Sequence, residues 1–157
     1  GQWCPDPHRF LPWPETGHEI ERCLALIAYL GVPLAGTRLE FPLGDADLTA
    51  AASLMQAHGL RPGEYVCVHP GSQLASRRWS PESFGKVAAR LSTLGLRIVL
   101  TGTAAERSLT RAVAAAGAGD AVDLAGETSL GAVAALAAGA RLLGCNDTGV
   151  SHISSAL

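Results

Sequence analysis

The fold is decided by residues 65–72, which read YVCVHPGS. A short run of buried-type residues that passes directly into proline, glycine and serine is typical of a central strand in a parallel sheet. Similar runs follow at 97–101, 121–125 and 141–145, and helical patterns lie between them at 81–94, 104–116 and 129–138. Strands that alternate with helices predict a parallel sheet with right-handed crossovers. We therefore predict an α/β, Rossmann-like domain.

Helices are predicted from apolar spacing and from their end signals. In the helix that starts at Pro81, Ser80 is a good N-cap, and the apolar stripe comprises Phe84, Val87, Ala88 and Leu91. Two more helices precede the first strand. One carries Ile20, Cys23, Leu24, Ile27 and Leu30. The other runs from about Asp47 to His58, closes at Gly59, and places on one face Leu48, Ala51, Leu54 and Met55.

Composition limits the classes of protein that the chain can represent. Its 157 residues suit one domain with a short appended segment, and 48% hydrophobic residues are too many for a disordered chain. The net charge of -2 gives no basic face for nucleic acid. We expect no transmembrane segment, because the most apolar run, residues 124–143, contains Glu127 and Arg141. We expect no signal peptide, because residues 5–8 read PDPH where a signal peptide would have a basic start and an apolar stretch.

Four cysteines, at positions 4, 23, 67 and 145, show no spacing typical of a metal or redox site. In a chain of this size they indicate reduced, mostly buried thiols of a cytoplasmic protein.

Parallel crossovers place the carboxyl ends of all strands on one edge, where four loops should converge: residues 70–78, 102–106, 126–128 and 146–149. If the strand order is 3-2-1-4, the first and fourth loops flank the switch point at which such sheets bind ligands. The first loop offers hydrogen-bonding side chains at Ser72 and Gln73 and a phosphate-type partner in Arg77, with Arg78 expected to matter less. The alternative is a solvated loop anchored by Trp79.

The fourth loop passes through Asp147 into a helix that begins at about Thr148 and continues with Gly149. Free amides at a helix start favour an anion, and His152 should face the same side as Thr148. The carboxylate of Asp147 opposes a phosphate, so it either caps the helix or accepts a hydrogen bond from a sugar hydroxyl.

In the second loop, Glu106 follows Gly102 and Thr103. It is either a first-turn acid stabilised by the helix dipole or a ligand of a ribose diol.

Motifs for other chemistries are absent. No G-x-G-x-x-G follows the first strand, and neither a P-loop, a G-x-S-x-G elbow nor a metal-type cluster of carboxylates and histidines occurs. Four segments in order resemble glycosyltransferase family 9, the ADP-heptose:lipopolysaccharide heptosyltransferases: HPGS at 69–72, RRWSPE at 77–82, VLTG at 99–102, and NDTG at 146–149 with His152. The similarity extends over about residues 30–157.

The resemblance implies a GT-B enzyme of two Rossmann-like domains. Residues 1–45 would be the tail of the N-terminal acceptor domain and the interdomain connection, and residues 46–157 an incomplete C-terminal donor domain, truncated within its last helix. It also implies inverting, metal-independent transfer of heptose from ADP-heptose to the lipid A–core oligosaccharide. The donor site would comprise Ser72, Gln73, Arg77, Gly102, Thr103, Glu106, Asp147, Thr148, Gly149 and His152.

The same resemblance places the catalytic base in the N-terminal domain, so we expect no catalytic residue in this chain, no transfer by the chain alone, and no cofactor beyond the sugar nucleotide. The location would be cytoplasmic, at the periphery of the inner membrane. Two alternatives remain: a non-catalytic nucleotide-binding module, and a GT-B enzyme or epimerase relative that uses another sugar nucleotide.

Overall fold

The computed structural model of the protein describes Asp6 and residues 9–157. The chain forms two compact units, Gly1–Leu39 and Glu40–Leu157. In the first, the only helix among the described residues is α1, Glu19–Tyr29, as its apolar spacing predicts. None of its side chains is buried. Arg22 organises this unit locally, since its guanidinium lies 4.7 Å from the centre of the Trp13 ring and donates to the Pro14 carbonyl at 2.8 Å.

The second unit is a parallel α/β sheet flanked by helices. Its elements are α2 (Asp45–His58), β1 (Tyr65–His69), α3 (Pro81–Ser92), β2 (Arg97–Leu100), α4 (Arg107–Ala115), β3 (Val122–Asp123), α5 (Leu130–Gly139), β4 (Leu142–Cys145) and α6 (Gly149–Ser154). The strand order is β3-β2-β1-β4, and every pair is parallel. The predicted fold class and the 3-2-1-4 order are both confirmed.

Alternate residues of β1 point to opposite faces of the sheet and fill two separate cores. Tyr65 and Cys67 pack on one side with α2 and α5, where the buried neighbours include Ala51 and Leu136. On the other side, Val66 and Val68 pack against α3 and α4, with Phe84, Ala88, Ile98, Leu100 and Val113. Burial on both faces explains why the central strand reads as a continuous apolar run.

The α3–α4 contact requires glycine. A Cβ atom at Gly117 would lie 2.7 Å from the carbonyl oxygen of Gly85, and the backbone φ of Gly117 is +152°. One at Gly85 would in turn lie 2.6 Å from the Cβ of Ala116. The two helices therefore approach each other closely. Their contact fixes the N-terminal end of α3, which follows the loop after β1.

Helix ends agree with their signals. Ser80 caps α3 by accepting a hydrogen bond from the Ser83 amide at 3.1 Å, and Gly59 ends α2 in the left-handed conformation. The largest differences from the predicted boundaries are in two elements, α4 and β3, and the other boundaries agree within about two residues. The 104–116 helix begins as a 3-10 turn, Ala104–Glu106, before α4, because Glu106 folds back onto Thr103. The strand predicted at 121–125 is regular only over Val122–Asp123, although the Leu124 amide still donates to the Leu100 carbonyl of β2.

Three predictions about burial are wrong. Leu48 and Val87 are 48% and 42% exposed, so the stripes of α2 and α3 are narrower than predicted. Of the described cysteines, only Cys67 is buried, while Cys145 is half-buried and Cys23 is exposed. Small sheet-facing residues such as Ala51 and Ala88 bring each helix close to the strands, which leaves the flanking apolar residues outside. The cysteine at position 4 lies outside the described residues.

Within the described part of the chain, no helix is long and apolar enough to cross a bilayer.

Candidate functional site

The observed order places the switch point between β1 and β4. After β1 the chain crosses to β2 on one side, and β4 lies on the other side. Residues 70–80 and 146–149 follow the carboxyl ends of these two neighbouring strands. Such a crevice is where open α/β sheets bind ligands.

A cavity of about 400 Å³ opens between these two loops. Seven of the ten residues predicted for the donor site line it, together with Leu74, which the sequence reasoning missed: Ser72, Gln73, Leu74, Arg77, Asp147, Thr148, Gly149 and His152. The other three predicted residues, Gly102, Thr103 and Glu106, do not line this cavity and form a neighbouring group. A second cavity of about 340 Å³ lies at the opposite edge of the sheet, where the charged lining residues are Arg97 and Asp120.

Three side chains that contact one another in sequence line the larger cavity, with the Asp147 carboxylate between Arg77 and His152. A guanidinium nitrogen of Arg77 lies 3.1 Å from one carboxylate oxygen of Asp147, and Nε2 of His152 lies 3.9 Å from the other. The Arg77 and Asp147 side chains are more than half exposed. Asp147 therefore acts as a counter-ion for the single arginine in the cavity lining, which neither interpretation of the sequence included. The N-cap of α6 is Thr148 and not Asp147.

The backbone of the first loop is held by hydrogen bonds with Asn146 and Arg78. Asn146 lies at the end of β4, and its side-chain amide donates to the Pro70 carbonyl at 2.8 Å. Its amide oxygen accepts from the Trp79 amide at 2.9 Å. Within the loop, Arg78 Nε donates to the Ser72 carbonyl at 2.7 Å. Ser72 is itself buried, and its hydroxyl donates to the Asp147 carbonyl at 3.3 Å. The two loops are thus joined directly.

Trp79 has the anchoring role that the second interpretation of its loop gave it. Its ring packs edge-on against Phe84 with the centroids 5.3 Å apart, yet the side chain is half exposed. It therefore anchors the end of the loop to α3.

Glu106 belongs to a second group beside the cavity. One of its carboxylate oxygens accepts hydrogen bonds from the Thr103 amide at 2.8 Å and from the Thr103 hydroxyl at 2.9 Å. The carboxylate also lies directly over Gly71, in the space that a Cβ atom would occupy. Glycine is therefore required at position 71 for Glu106 to stand next to the first loop.

Electrostatics keep Glu106 ionised. Partial burial alone would raise its pKa, but the hydrogen bonds from Thr103 and the nearby His69 and Arg78 outweigh burial, so the pKa lies below its ordinary value. Burial lowers the pKa of His69, and Glu106 opposes that shift only in part. His69 Nδ1 lies 3.1 Å from the Thr101 hydroxyl at the end of the neighbouring strand.

The start of α6 is open to the cavity. A Cβ atom built on Gly149 meets no protein atom within 4 Å. The Ser151 hydroxyl accepts from the Thr148 amide at 3.5 Å and donates to the Thr148 carbonyl at 2.6 Å, which ties the first turn together.

Sequence reasoning missed Asn146, Arg78 and His69 as residues that hold the site. A buried-type strand that ends in a polar residue is a signal for such a role, since buried polar groups must find partners. Among the described residues, no group of three or more His, Cys, Asp or Glu side chains is placed to hold a metal ion.

The family model for glycosyltransferase family 9 (heptosyltransferase) matches residues 7–157. The chain belongs to glycosyltransferase family 9. The resemblance recognised in the sequence is therefore confirmed. Comparison with curated protein sequences finds no match.

Solved structures of this family share the fold. A family 9 glycosyltransferase from Veillonella parvula DSM 2008 superposes with a TM-score of 0.78 at 23% identity, covering 87% of this chain and 40% of that one. The E. coli heptosyltransferase WaaC with ADP gives a TM-score of 0.67 at 25% identity, covering 92% and 43%. E. coli ADP-heptose lps heptosyltransferase II gives 0.63 at 24%, covering 79% and 38%. The chain thus spans about two fifths of the length of these proteins.

Proposed function

We propose that this chain binds the sugar-nucleotide donor in an inverting transfer of heptose from ADP-heptose to the inner core of lipopolysaccharide. The observation that carries the proposal is the cavity at the switch point, in which Arg77 stands opposite the opening of α6. Its support also includes membership of the family and the names of two relatives, one bound to ADP and one termed an ADP-heptose enzyme.

The diphosphate would lie between the two loops. Arg77 offers a planar, permanently charged donor that suits phosphate oxygens. Gln73 and Thr148 add uncharged donors around the same cavity, and Ser72 joins its two loops through the Asp147 carbonyl. Negative charge grows on the diphosphate as the glycosidic bond breaks, so donors already in place there stabilise the transition state.

The sugar rings would flank the diphosphate. Glu106 keeps one carboxylate oxygen engaged with Thr103, and we propose that the other accepts from the ribose hydroxyls. Asp147 and His152 line the same cavity as Arg77 and would meet the transferred sugar. In this proposal the two interpretations of Glu106 are compatible, since its cap contacts use a single oxygen.

The base that deprotonates the acceptor would come from outside this chain, in an N-terminal acceptor domain. We propose that residues 1–45 connect to that domain and that residues 46–157 hold the donor, at the cytoplasmic face of the inner membrane. The 157-residue chain alone should then bind nucleotide and transfer no heptose to a lipopolysaccharide-core acceptor. Measured transfer by the purified chain would contradict this assignment, and Asp147 and His152 would be the first bases to test.

Titration calorimetry with ADP, ADP-heptose, and UDP- and GDP-sugars tests the proposed donor. We expect the adenine nucleotides to bind most tightly, and EDTA to leave their affinity unchanged. Preference for a UDP- or GDP-sugar would favour another GT-B donor, and equal, weak binding of all would refute a nucleotide site.

Arg77→Ala should weaken ADP binding by about 1.5–3 kcal/mol, the range for a charge-assisted hydrogen bond. The matched control is Arg90→Ala, since Arg90 is an exposed arginine in the last turn of α3, away from the cavity. Arg78→Ala is unsuitable as a control because Arg78 holds the Ser72 carbonyl. Equal affinity in the Arg77→Ala and Arg90→Ala variants would remove Arg77 from the site.

A further inference from the structure

Asn146 uses both halves of its side-chain amide on one loop. Its NH2 group donates to the Pro70 carbonyl, where the loop after β1 begins, and its oxygen accepts from the Trp79 amide, just beyond the loop's end. The residue is 9% exposed; its contact to Pro70 is buried and its contact to Trp79 is partly buried. Eight residues lie between the two contact points, and they include Ser72, Gln73 and Arg77.

The primary amide is chemically matched to this position. Pro70 offers a carbonyl oxygen and Trp79 an N–H group, so the side chain between them must donate at one end and accept at the other. A carboxylate only accepts, and an apolar side chain does neither. A buried backbone group that loses its hydrogen-bond partner costs free energy. The two hydrogen bonds therefore favour this one conformation of the loop.

The same residue also connects the two halves of the cavity. Asn146 immediately precedes Asp147, whose carbonyl accepts from the Ser72 hydroxyl. The loop after β1 is therefore held to the end of β4 at three points: the Pro70 carbonyl, the Ser72 hydroxyl and the Trp79 amide. Motion of Arg77 relative to Thr148 and Gly149 is limited by these contacts.

We propose that Asn146 is a positioning residue for the donor site, which holds the loop that carries Ser72, Gln73 and Arg77 in its ligand-binding form. The ligand-binding role of the loop rests on the proposed function. The two hydrogen bonds of Asn146 to Pro70 and Trp79, which we call the clasp, do not depend on it. Asn146 does not line the cavity, so its effect on binding must act through the loop.

A merely structural asparagine would lower stability without changing the loop. Amide hydrogen exchange at Trp79 separates the two roles, because that N–H donates to Asn146. We expect Asn146→Ala to speed exchange of the Trp79 amide by about five- to tenfold, the effect of losing one typical hydrogen bond, while exchange in β1 stays slow. Asn146→Asp keeps an acceptor for this amide, so its Trp79 exchange should stay near that of the parent.

Binding is measured on the same proteins at a temperature at which all are folded. Asn146→Ala should weaken ADP affinity by about three- to tenfold, because the loop must be ordered each time the ligand binds. The control is Tyr65→Phe, which removes a buried hydrogen bond to the Leu136 carbonyl at the opposite edge of the sheet. It should lower the melting temperature and leave ADP affinity unchanged.

The outcomes are distinct. Unchanged Trp79 exchange in Asn146→Ala would overturn the clasp, and faster exchange with unchanged ADP affinity would overturn the positioning role. If the parent chain does not bind ADP, the proposed function and the positioning role both fail, while the exchange data still decide whether Asn146 closes the loop.

Discussion

Replacing Asp147 by asparagine should separate the two parts of a sugar-nucleotide ligand. The carboxylate lies 3.1 Å from the Arg77 guanidinium and 3.9 Å from His152. Asparagine keeps the size and the hydrogen-bonding oxygen of the side chain, and removes one negative charge from a cavity that we expect to hold a diphosphate. Arg77 then loses its counter-ion and is free to pair with the ligand.

The magnitude follows from the geometry. A phosphate bound by Arg77 would stand about 6 Å from the Asp147 carboxylate, one arginine fork away on the far side. At an effective dielectric constant of about 40–80, suited to side chains this exposed, two unit charges at that distance repel by about 0.7–1.4 kcal/mol. ADP affinity should therefore rise by about three- to tenfold in Asp147→Asn at low salt. The gain should shrink as ionic strength rises, because exposed charges are screened.

ADP-heptose should respond in the opposite sense. If Asp147 accepts a hydrogen bond from a sugar hydroxyl, asparagine is a weaker acceptor, and the lost charge-assisted bond of about 1.5–3 kcal/mol exceeds the relief of repulsion. Calorimetry at two salt concentrations measures both ligands, with Asp120→Asn at the opposite edge of the sheet as the control. ADP affinity that is unchanged or weaker in Asp147→Asn would refute the counter-ion argument, and tighter ADP-heptose binding would remove Asp147 from the sugar contacts.

Three further predictions follow from the same contacts. Gly149→Val should weaken ADP binding at least tenfold with the circular dichroism spectrum unchanged, because the protein itself leaves the space open; Gly119→Val, equally open at the other edge, is the control, and equal affinities would exclude close approach of the ligand to α6. Gly71→Ala should displace the Glu106 carboxylate and weaken ADP more than inorganic diphosphate in calorimetry, and an equal loss for both would show that Glu106 does not read the ribose. The melting temperature should fall as pH drops below about 6.5, because burial holds the pKa of His69 below that of the unfolded chain, so the unfolded state takes up the proton first; if His69→Asn keeps the full pH dependence, the cause lies elsewhere.

Most of the fold was predictable because the apolar pattern is strong. β1 carries buried residues on both faces, and this alone indicates a central parallel strand. The errors lie where side chains override the pattern. The apolar pattern at 121–125 suggested a five-residue strand, whereas the ladder pairs are limited to Val122 and Asp123. The Asp123 carboxylate accepts from the Ala125 amide and the Thr110 hydroxyl, and the Leu124 amide still donates to the Leu100 carbonyl of β2.

The sequence predicted which residues line the candidate site, but not which hydrogen bonds and ion pairs join them. Loop position after parallel strands brought Ser72, Arg77 and Asp147 into one cavity, as the strand order implies. That Asp147 pairs with Arg77 could not be read from the sequence, because the pairing depends on a loop conformation that long-range contacts fix. Asn146 makes two of these contacts with residues more than sixty positions away.

These connections divide the cavity into a fixed part and an exchangeable part. The Asn146 side chain is buried and its partners are backbone groups, so breaking its hydrogen bonds leaves the Pro70 carbonyl unpaired away from water. The pair between Arg77 and Asp147 is more than half exposed, and such pairs contribute only about 0–1 kcal/mol. A phosphate that offers Arg77 a charge-assisted bond of about 1.5–3 kcal/mol can therefore displace Asp147 without disturbing the loop. Asp147 then becomes free to accept from a hydroxyl on the same ligand. An anion that carries a neighbouring sugar satisfies both side chains at once, whereas a bare anion leaves the carboxylate beside it unpaired.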